Sequence, residues 1–538
     1  MSRVSADYIV VGGGSAGAVI AARLSENPGV SVLLLEAGGS GRDFLIKLPA
    51  GVAKLFANPK YDWIYEAEPD ASLGGRPFLL PAGKGLGGSS SINGMIHIRG
   101  TRSDYDNWAR LGADGWDYAG VEPYFKRSEN FQGPPSQQRG TTGPIAVSFA
   151  KEYPQTTYAY LDACRAMGFK VLDDYADGRM DGVFLCAGSI DRGWRSSTEA
   201  GYLRPAAKRP NLTVLTGADV RRVLFDGTRA MGVEAMIDGR EARFEARREV
   251  ILSAGAIGTP ALLLRSGVGE AEHLREQGVP LVHDAPEVGR NLQDHVGVPV
   301  GKFVNVPTLN TQTGLLDMIR HVFQFVTARK GLLAGPVGQG LGLARSRPEL
   351  AEPDMQLMFA AFGISNDQTK GTEMLKEAAV TLWVNPCRPH NSGTVRLNPA
   401  KKYGVEIDLQ LLGSAEDVGT LVRGAKLLQR IFEQDAWKPY LTGDRIPDPV
   451  PTSDADWEAH VRRTAQSFYH LAGTCRMGTD AGAVLDPQLR VRGVSALRVA
   501  DASIMPALVS GNTNAAAIMI GEKAAAIIAG ADACARAA

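Results

Sequence analysis

Several features that would point to other protein classes are scarce in this sequence. It has only five cysteines in 538 residues, an odd number without a Cys-x-x-Cys pair. This argues against a disulfide framework or a zinc site, so no metal site is expected, and it indicates a reducing compartment. Neither sign of charge is in excess, because 58 Lys and Arg balance 58 Asp and Glu. Nothing therefore favours binding to nucleic acid.

Long apolar runs are also missing. The closest candidate, residues 515–529, is interrupted by Glu522 and Lys523 and is shorter than the roughly 18 residues of a membrane-spanning helix. Residues 1–7 are short and polar and lack the layout of a signal peptide. We expect a cytoplasmic protein, and the sequence leaves peripheral contact with the inner membrane open.

Glycine, by contrast, is abundant, with 62 residues in 538, above the ~7% of an average protein. Without a collagen-like period, this excess indicates tight turns and close approach of backbone to a ligand. The chain is too long for one compact core, so two domains are expected. Apolar residues at 44% and charged residues at 22% are ordinary for a soluble enzyme.

The N-terminal segment has the pattern of a dinucleotide-binding unit. An apolar strand at residues 8–11 is followed by GGGSAG at 12–17, a helix-forming stretch at 18–24 and a second strand at 30–35. Gly12, Gly14 and Gly17 fit G-x-G-x-x-G, in which the first allows a tight turn, the second lets backbone approach a pyrophosphate and the third allows close packing. Glu36 ends the second strand, where it would bind a ribose hydroxyl and repel the 2′-phosphate of NADP. The alternative is a purely structural turn, and the motif does not choose between NAD and FAD.

A second glycine-rich segment, GKGLGGSSSING at residues 83–94, would let backbone pack against something flat or charged. An ordinary NAD dehydrogenase has no need for it, although by itself it is equally consistent with a bare loop. The elements typical of dinucleotide binding occur near both ends of the chain. A second domain is therefore expected to be inserted between them.

The chain resembles the glucose–methanol–choline (GMC) oxidoreductases. Residues 83–106 resemble the first signature of that family, and residues 255–269 match the second. VGRNLQDH at 288–295, YHLAGTCRMG at 469–478, VADASIMP at 499–506 and GNTN at 511–514 look like further family blocks. The resemblance extends from residue 6 to residue 530, nearly the whole chain.

This resemblance implies an α/β fold, with a Rossmann-like FAD-binding domain and an inserted α+β substrate domain built on an antiparallel sheet. We expect the FAD-binding domain to comprise residues 1–150, 211–300 and 466–538. The substrate-binding domain is expected at residues 151–210 and 301–465.

The resemblance also implies which residues hold FAD. They are Gly12, Gly14, Ser15, Ala16, Gly17, Glu36, Ala37, Asn93, Gly94, Met95, Val220, Asp501 and Ala502. The cofactor is expected to be bound without a covalent link, because Ile92 stands where choline oxidases have the histidine that joins the flavin. His97 is a second departure from the family pattern and is a candidate for lining the site.

The catalytic pair implied by the family is His470 and Asn514. Oxidation of an alcohol removes the hydroxyl proton and a hydride from the same carbon, and a neutral imidazole can accept the proton. An amide can then hydrogen-bond the oxygen and stabilise its developing charge. Asn512 is the competitor for this role, since GNTN can be a turn with either asparagine structural, and the register favours Asn514.

The remaining histidines carry weaker expectations. His460, in a charged run, is predicted to lie on a solvated helix face, and His295 is predicted to order a loop near the cofactor. The others have no motif around them and are not expected to take part in chemistry; they are His273, His283, His321 and His390. Cys387 has no explanation from the sequence.

The expected reaction is oxidation of a primary alcohol to an aldehyde, with electrons passed to a quinone-like acceptor. An oxidase that uses O2 and forms H2O2, a lyase of the same fold and a flavoprotein without catalytic activity are the alternatives. The retained histidine and asparagine speak against the last. The particular alcohol and the oligomeric state are not encoded in any recognisable pattern.

Overall fold

The computed structural model describes residues 4–365 and 374–530. The outermost residues of the predicted FAD-binding domain, 1–3 and 531–538, lie outside this part, as does Cys534. The helices, in chain order, are α1 (Gly17–Leu24), α2 (Phe44–Lys47), α3 (Val52–Leu55), α4 (Arg102–Arg110), α5 (Tyr118–Ser128), α6 (Gln155–Ala166), α7 (Arg204–Ala206), α8 (Gly255–Arg265), α9 (Ala271–Glu276), α10 (Leu315–Ala328), α11 (Ala415–Phe432), α12 (Asp454–Thr464) and α13 (Asn514–Ile528).

Strands occur along the whole chain and several are only two residues long. In chain order they are β1 (Val4–Val11), β2 (Val32–Glu36), β3 (Tyr65–Asp70), β4 (Arg76–Leu80), β5 (Glu129–Phe131), β6 (Ile145–Phe149), β7 (Gly182–Leu185), β8 (Ala187–Gly188), β9 (Ile190–Asp191), β10 (Trp194–Arg195), β11 (Leu212–Thr216), β12 (Ala218–Asp226), β13 (Arg229–Ile237), β14 (Arg240–Leu252), β15 (Val268–Gly269), β16 (His283–Asp284), β17 (Val296–Val304), β18 (Gly340–Ala344), β19 (Met355–Ala360), β20 (Ala379–Pro386), β21 (Thr394–Leu397), β22 (Val405–Asp408), β23 (Leu441–Ile446), β24 (Gln466–Ser467) and β25 (Leu497–Val499).

The larger sheet contains the dinucleotide-binding elements. Its order is β11-β2-β1-β14-β13-β12, and β25 pairs with β14. The pairs of β1 with β2 and β14, of β2 with β11 and of β14 with β25 are parallel, whereas β12, β13 and β14 form an antiparallel meander. Every residue of β2 is buried, as expected for a parallel strand covered on both faces.

Helices α1 and α13 pack against each other, which accounts for the charges in the apolar run at residues 515–529. Glu522 is fully buried and pairs with Arg23 of α1 at 2.7 Å. Lys523 donates to the carbonyl oxygens of Gly115 and Gly120 at 2.9 and 3.0 Å. Both charges therefore join helices within the protein. Among the described residues, no helix is at once long and apolar enough to span a bilayer.

The second sheet is antiparallel, with the order β18-β19-β20-β17-β23, and β24 pairs with β17. Helices α11 and α12 bury apolar side chains against it, so it has a core separate from that of the first sheet. The predicted fold class is confirmed. The predicted domain boundary at residue 300 falls within β17 (Val296–Val304).

Candidate active site

The turn between β1 and α1 is packed too tightly for side chains at two of its glycines. Gly12 has a φ of +97°, and a Cβ there would lie 2.4 Å from the carbonyl oxygen of Ser253. A Cβ on Gly17 would lie 1.9 Å from the carbonyl oxygen of Gly12. At Gly14, by contrast, a Cβ would meet only the Cα of Gly88, at 3.9 Å. The first and third glycines therefore shape the turn, and the second leaves space for a ligand to approach the backbone.

The carboxylate of Glu36 joins three segments of backbone. It accepts hydrogen bonds from the N–H groups of Gly13 and Gly38 at 2.8 Å and of Gly85 at 3.0 Å. Burial raises the pKa of Glu36, while these N–H groups act in the opposite direction. The predicted acid at the end of β2 thus holds the second glycine-rich segment beside the first.

The second glycine-rich segment lies directly against the nucleotide-binding turn. A Cβ on Gly88 would lie 2.6 Å from the Cα of Gly14. The Asn93 side-chain oxygen accepts from the backbone N–H of Met95 at 3.0 Å and from Arg195 at 2.9 Å. Met95 has a φ of +63°, a conformation that L-residues with side chains seldom adopt and that persists only where the surroundings determine it. The second glycine-rich segment therefore has a conformation that is fixed by packing and hydrogen bonds at the site.

A cavity is lined both by the nucleotide-binding turn and by His470. Of the predicted FAD-binding and catalytic residues, all except Gly17 line it: Gly12, Gly14, Ser15, Ala16, Glu36, Ala37, Asn93, Gly94, Met95, Val220, His470, Asp501, Ala502 and Asn514. Gly17 contributes by its packing against Gly12. Further lining residues that the sequence did not single out are Trp63, Tyr65, Arg221, Ser253, Arg265 and Tyr403.

Asp501 lines this cavity with its carboxylate already engaged. It accepts from the backbone N–H of Gly255 at 2.8 Å and from the Thr259 hydroxyl at 2.6 Å, at the beginning of α8. Its other oxygen accepts from the backbone N–H of Ser503 at 2.8 Å, so the carboxylate fixes the start of α8 beside the cavity.

The backbone that carries His470 is fixed by Asp294. The backbone N–H of His470 donates to this carboxylate at 2.7 Å, and the Ser467 hydroxyl donates to its other oxygen. Tyr469, between them, has a φ of +63°, and its N–H donates to the Ser467 hydroxyl at 3.0 Å. Burial raises the pKa of Asp294 to about 7, against the opposing effect of these hydrogen bonds.

Both nitrogens of the His470 imidazole have partners. Nε2 lies 2.9 Å from the amide nitrogen of Asn512, and Nδ1 lies 2.8 Å from Nδ1 of His295. Burial lowers the pKa of His470 well below its ordinary value, and the neighbouring His295 lowers it further. The imidazole is therefore neutral near pH 7 and able to accept a proton.

The structure places Asn512, not Asn514, in hydrogen-bond contact with His470, which differs from the predicted pairing. The Asn514 side-chain oxygen instead accepts from the Ser15 hydroxyl at 2.8 Å. Asn514 is the first residue of α13, so its side chain links that helix to the nucleotide-binding turn. The side-chain oxygen of Asn512 is buried without a protein partner. It is free for a cofactor or substrate.

His295, predicted to order a loop near the cofactor, contacts His470 directly. Its Nε2 lies 3.0 Å from the carbonyl oxygen of Cys387, and this contact gives the backbone at Cys387 a role. His295 is fully buried, and burial lowers its pKa to about 4.

The prediction for His460 is wrong. It is fully buried, with Nε2 3.0 Å from the Pro299 carbonyl oxygen, and burial lowers its pKa to about 4. The reason is periodicity: Trp457, His460, Val461 and Thr464 form the one face of α12 that packs inward. The charged neighbours lie on the other face.

His97 does not line the cavity. Its Nδ1 lies 3.3 Å from the Ser189 hydroxyl and its Nε2 lies 3.6 Å from the Glu129 carboxylate. Burial lowers the pKa of His97 to about 4. Ile92 is also absent from the lining and packs among apolar side chains. The histidines without motifs, His273, His283, His321 and His390, do not line it either.

The residues present fit FAD. The nucleotide-binding turn has space for a ligand at Gly14, and a buried acid, Glu36, ends β2. Beside His470, the side-chain oxygen of Asn512 is buried without a protein partner. A dinucleotide carrying a flat redox ring is a ligand that meets all of these features in one cavity.

Comparisons with known proteins find relatives over nearly the whole chain. A family model described as GMC oxidoreductase matches residues 6–297, and its C-terminal counterpart matches residues 389–521. The chain is 38% identical over 527 residues to an oxygen-dependent choline dehydrogenase of Brucella suis, covering 97% of this chain and 95% of that protein. Pyridoxine 4-oxidase from Mesorbium loti is similar with a TM-score of 0.87 and 29% identity, over 97% of this chain and 98% of that one. A formate oxidase is similar with a TM-score of 0.91 and 27% identity, over 98% and 99%.

Proposed function

The chain belongs to the GMC oxidoreductase family and is an FAD-dependent enzyme acting on CH–OH donors, and we propose that it oxidises a primary alcohol to an aldehyde. The observation that carries this proposal is a neutral, buried imidazole at His470 in the cavity lined by the nucleotide-binding turn. Bound FAD supplies the acceptor for the hydride that leaves the alcohol carbon. The thirteen residues predicted to hold FAD are proposed to do so, Gly17 through packing.

His470 is the proposed general base. Its Nε2 takes the hydroxyl proton of the substrate, which makes the oxygen negative and favours departure of the hydride. We assign the partner role to Asn512 instead of Asn514, because the Asn512 amide is 2.9 Å from Nε2. Its N–H can donate to a substrate oxygen placed beside Nε2 and stabilise the charge that develops there. Asn514 is left to hold α13 against the nucleotide-binding turn.

An apolar body of the substrate is supported by the side chains around the base. Tyr469 and Leu471, on either side of His470 in the chain, line the cavity together with it. Such a surface favours alcohols that carry aliphatic or aromatic groups. A series of primary alcohols compared by kcat/KM tests this: a preference for small charged alcohols would contradict it.

The test of the reaction itself is anaerobic. Addition of a primary alcohol should bleach the flavin absorbance and yield one aldehyde per flavin. A lyase of the same fold would turn over its substrate with the flavin colour unchanged. Alcohols that are bound but never reduce the flavin would refute the proposal.

A quinone-like compound is the proposed electron acceptor, with O2 as the second candidate. Residues 143–148 (GPIAVS) and 287–295 (EVGRNLQDH) resemble the corresponding blocks of bacterial alkanol and polyether-alcohol dehydrogenases, and this resemblance favours the quinone. The printed names of the relatives, an oxygen-dependent dehydrogenase and two oxidases, favour O2. Reduced enzyme mixed with air-saturated buffer or with a quinone analogue separates them, since faster reoxidation by air with stoichiometric H2O2 identifies an oxidase.

A cytoplasmic enzyme that makes peripheral contact with an anionic membrane surface is also proposed. The helix α10 exposes large apolar side chains along one face, including Leu315 at 79%, Leu316 at 82% and Phe323 at 66%. Its C-terminal end carries Arg329, which stacks on Trp194, and Lys330, which pairs with Glu152. A cation beside an apolar face favours anionic lipid. The face is about 17 Å long at 1.5 Å per residue.

Vesicle flotation tests this contact. The protein should float with vesicles that contain anionic lipid, and Leu316→Glu with Phe323→Glu should abolish flotation without changing kcat. A size-exclusion shift from dimer to monomer in the same variant would assign the face to a second copy instead.

A further inference from the structure

We propose that His295 is a positioning residue, which holds His470 in the tautomer with its proton on Nδ1 and its lone pair on Nε2. This inference rests on the proposed function, in which Nε2 of His470 is the base. It concerns what makes that nitrogen, and not the other one, available to the substrate.

The proton positions follow from a chain of three contacts that begins at Cys387. Nε2 of His295 faces the carbonyl oxygen of Cys387 at 3.0 Å, and because a carbonyl only accepts, this nitrogen carries a proton. His295 is fully buried and neutral, so its Nδ1 has a bare lone pair. That lone pair faces Nδ1 of His470 at 2.8 Å. Nδ1 of His470 must therefore be the donor of this bond.

The opposite side of His470 gives the same answer independently. Neutral His470 with a proton on Nδ1 has a lone pair on Nε2, and the amide nitrogen of Asn512 donates to it at 2.9 Å. In the other tautomer, two bare Nδ1 atoms would face each other at 2.8 Å, and an N–H of His470 would point at an N–H of Asn512. Both contacts exclude that tautomer.

The same bond serves the reaction as well as the resting state. When Nε2 takes the substrate proton, His470 becomes cationic, and its Nδ1–H bond to His295 becomes a bond from a charged donor. The only carboxylate that contacts His470 among the described residues, Asp294, is bonded to its backbone N–H. The His470 ring instead has a neutral hydrogen-bond acceptor, Nδ1 of His295. A neutral acceptor stabilises the cation less than a carboxylate would, so Nε2 can release its proton again.

Two substitutions at the same position separate positioning from packing. His295→Leu fills the same space with an apolar side chain and removes the acceptor. It should lower the limiting rate of flavin reduction on the order of 10- to 100-fold, the effect expected for a hydrogen bond to a charged group. His295→Asn can present an amide oxygen where Nδ1 was, and it should recover most of that loss. His460→Leu is the matched control, since it also removes a buried imidazole bonded to a carbonyl, and its rate should stay near that of the wild type.

The tautomer is measured directly, in the resting holoenzyme and without substrate, by ¹⁵N NMR of protein labelled at histidine. His470 signals, assigned by their loss in His470→Gln, should show a protonated Nδ1 and a bare Nε2, and His295→Leu should mix the two tautomers. A protonated Nε2 in the wild type, or equal rates for His295→Leu and wild type, would overturn the proposal. If instead the tautomer is as stated but no alcohol reduces the flavin, the proposed function fails and the positioning stands.

Discussion

Replacing Asn512 by Ala should slow flavin reduction much more than replacing Asn514 by Ala. The Asn512 amide nitrogen lies 2.9 Å from Nε2 of His470. The substrate oxygen must lie beside the same Nε2 atom to lose its proton. Removal of one donor to a developing oxyanion typically costs about 10²–10³ in kcat, and a loss of that size is expected. Asn514 bonds the Ser15 hydroxyl at 2.8 Å, and a neutral hydrogen bond of this kind contributes about 0.5–1.5 kcal/mol to stability. Its loss should appear in FAD content or Tm, with flavin reduction within roughly 10-fold of the wild type.

The assay is rapid anaerobic mixing with a saturating primary alcohol, followed by flavin absorbance and normalised to bound FAD. Normalisation matters because both asparagines line the same cavity, so either variant can lose cofactor. Thermal unfolding of each holoenzyme reports the structural cost separately. A larger fall in the limiting rate for Asn514→Ala than for Asn512→Ala would refute the assignment and restore the pairing first expected from the sequence.

Four further outcomes test other parts of the site. His470→Ala should retain FAD and lose about 10²–10⁴ in turnover, and a rate near the wild type would remove His470 as the base. Gly17→Ala should be purified without yellow colour, because its Cβ would lie 1.9 Å from the Gly12 carbonyl oxygen; full FAD content would contradict the tight turn. Acid precipitation should release the flavin into the supernatant, since Ile92 has no nucleophilic atom, whereas a coloured pellet would indicate a covalent link. Because the pKa of His470 is lowered from 6.5 and its neutral form is the base, kcat/KM should stay high as the pH falls through 6.5 and drop only below it; a drop centred above 6.5 would show a base of higher pKa.

The nucleotide-binding half of the site was predictable because its geometry is local. The strand, turn, helix and terminal acid at residues 8–36 lie within one short stretch, and the glycine spacing states where backbone must approach backbone. The structure bears out that logic at Gly12 and Gly17, whose Cβ atoms would collide. The antiparallel sheet, expected from the family resemblance, is present in the structure. The domain boundary placed at residue 300 lies within β17 and stays a prediction.

Side-chain orientation on a helix was harder to predict where charge and periodicity disagreed. The run around His460 is rich in charge, which suggested a solvated face. The i, i+3, i+4, i+7 spacing of its buried residues instead predicts a face that packs inward. This spacing can be read from the sequence. Here the period, which reports what a helix packs against, outweighs the local composition.

The pairings around His470 were beyond local reasoning for a physical reason. His295 and His470 are 175 positions apart in the chain, and their contact depends on how β17 and β24 bring the two segments together. The choice between Asn512 and Asn514 turns on where α13 begins. Because Asn514 is the first helical residue, its side chain is directed to the turn before α1, and the residue two positions earlier is left facing the imidazole. A difference of two residues in a Gly-Asn-Thr-Asn turn changes no composition or period, yet it decides which amide reaches the base. Helix α13 is itself held by its packing on α1, where Gly521 lies against Val19.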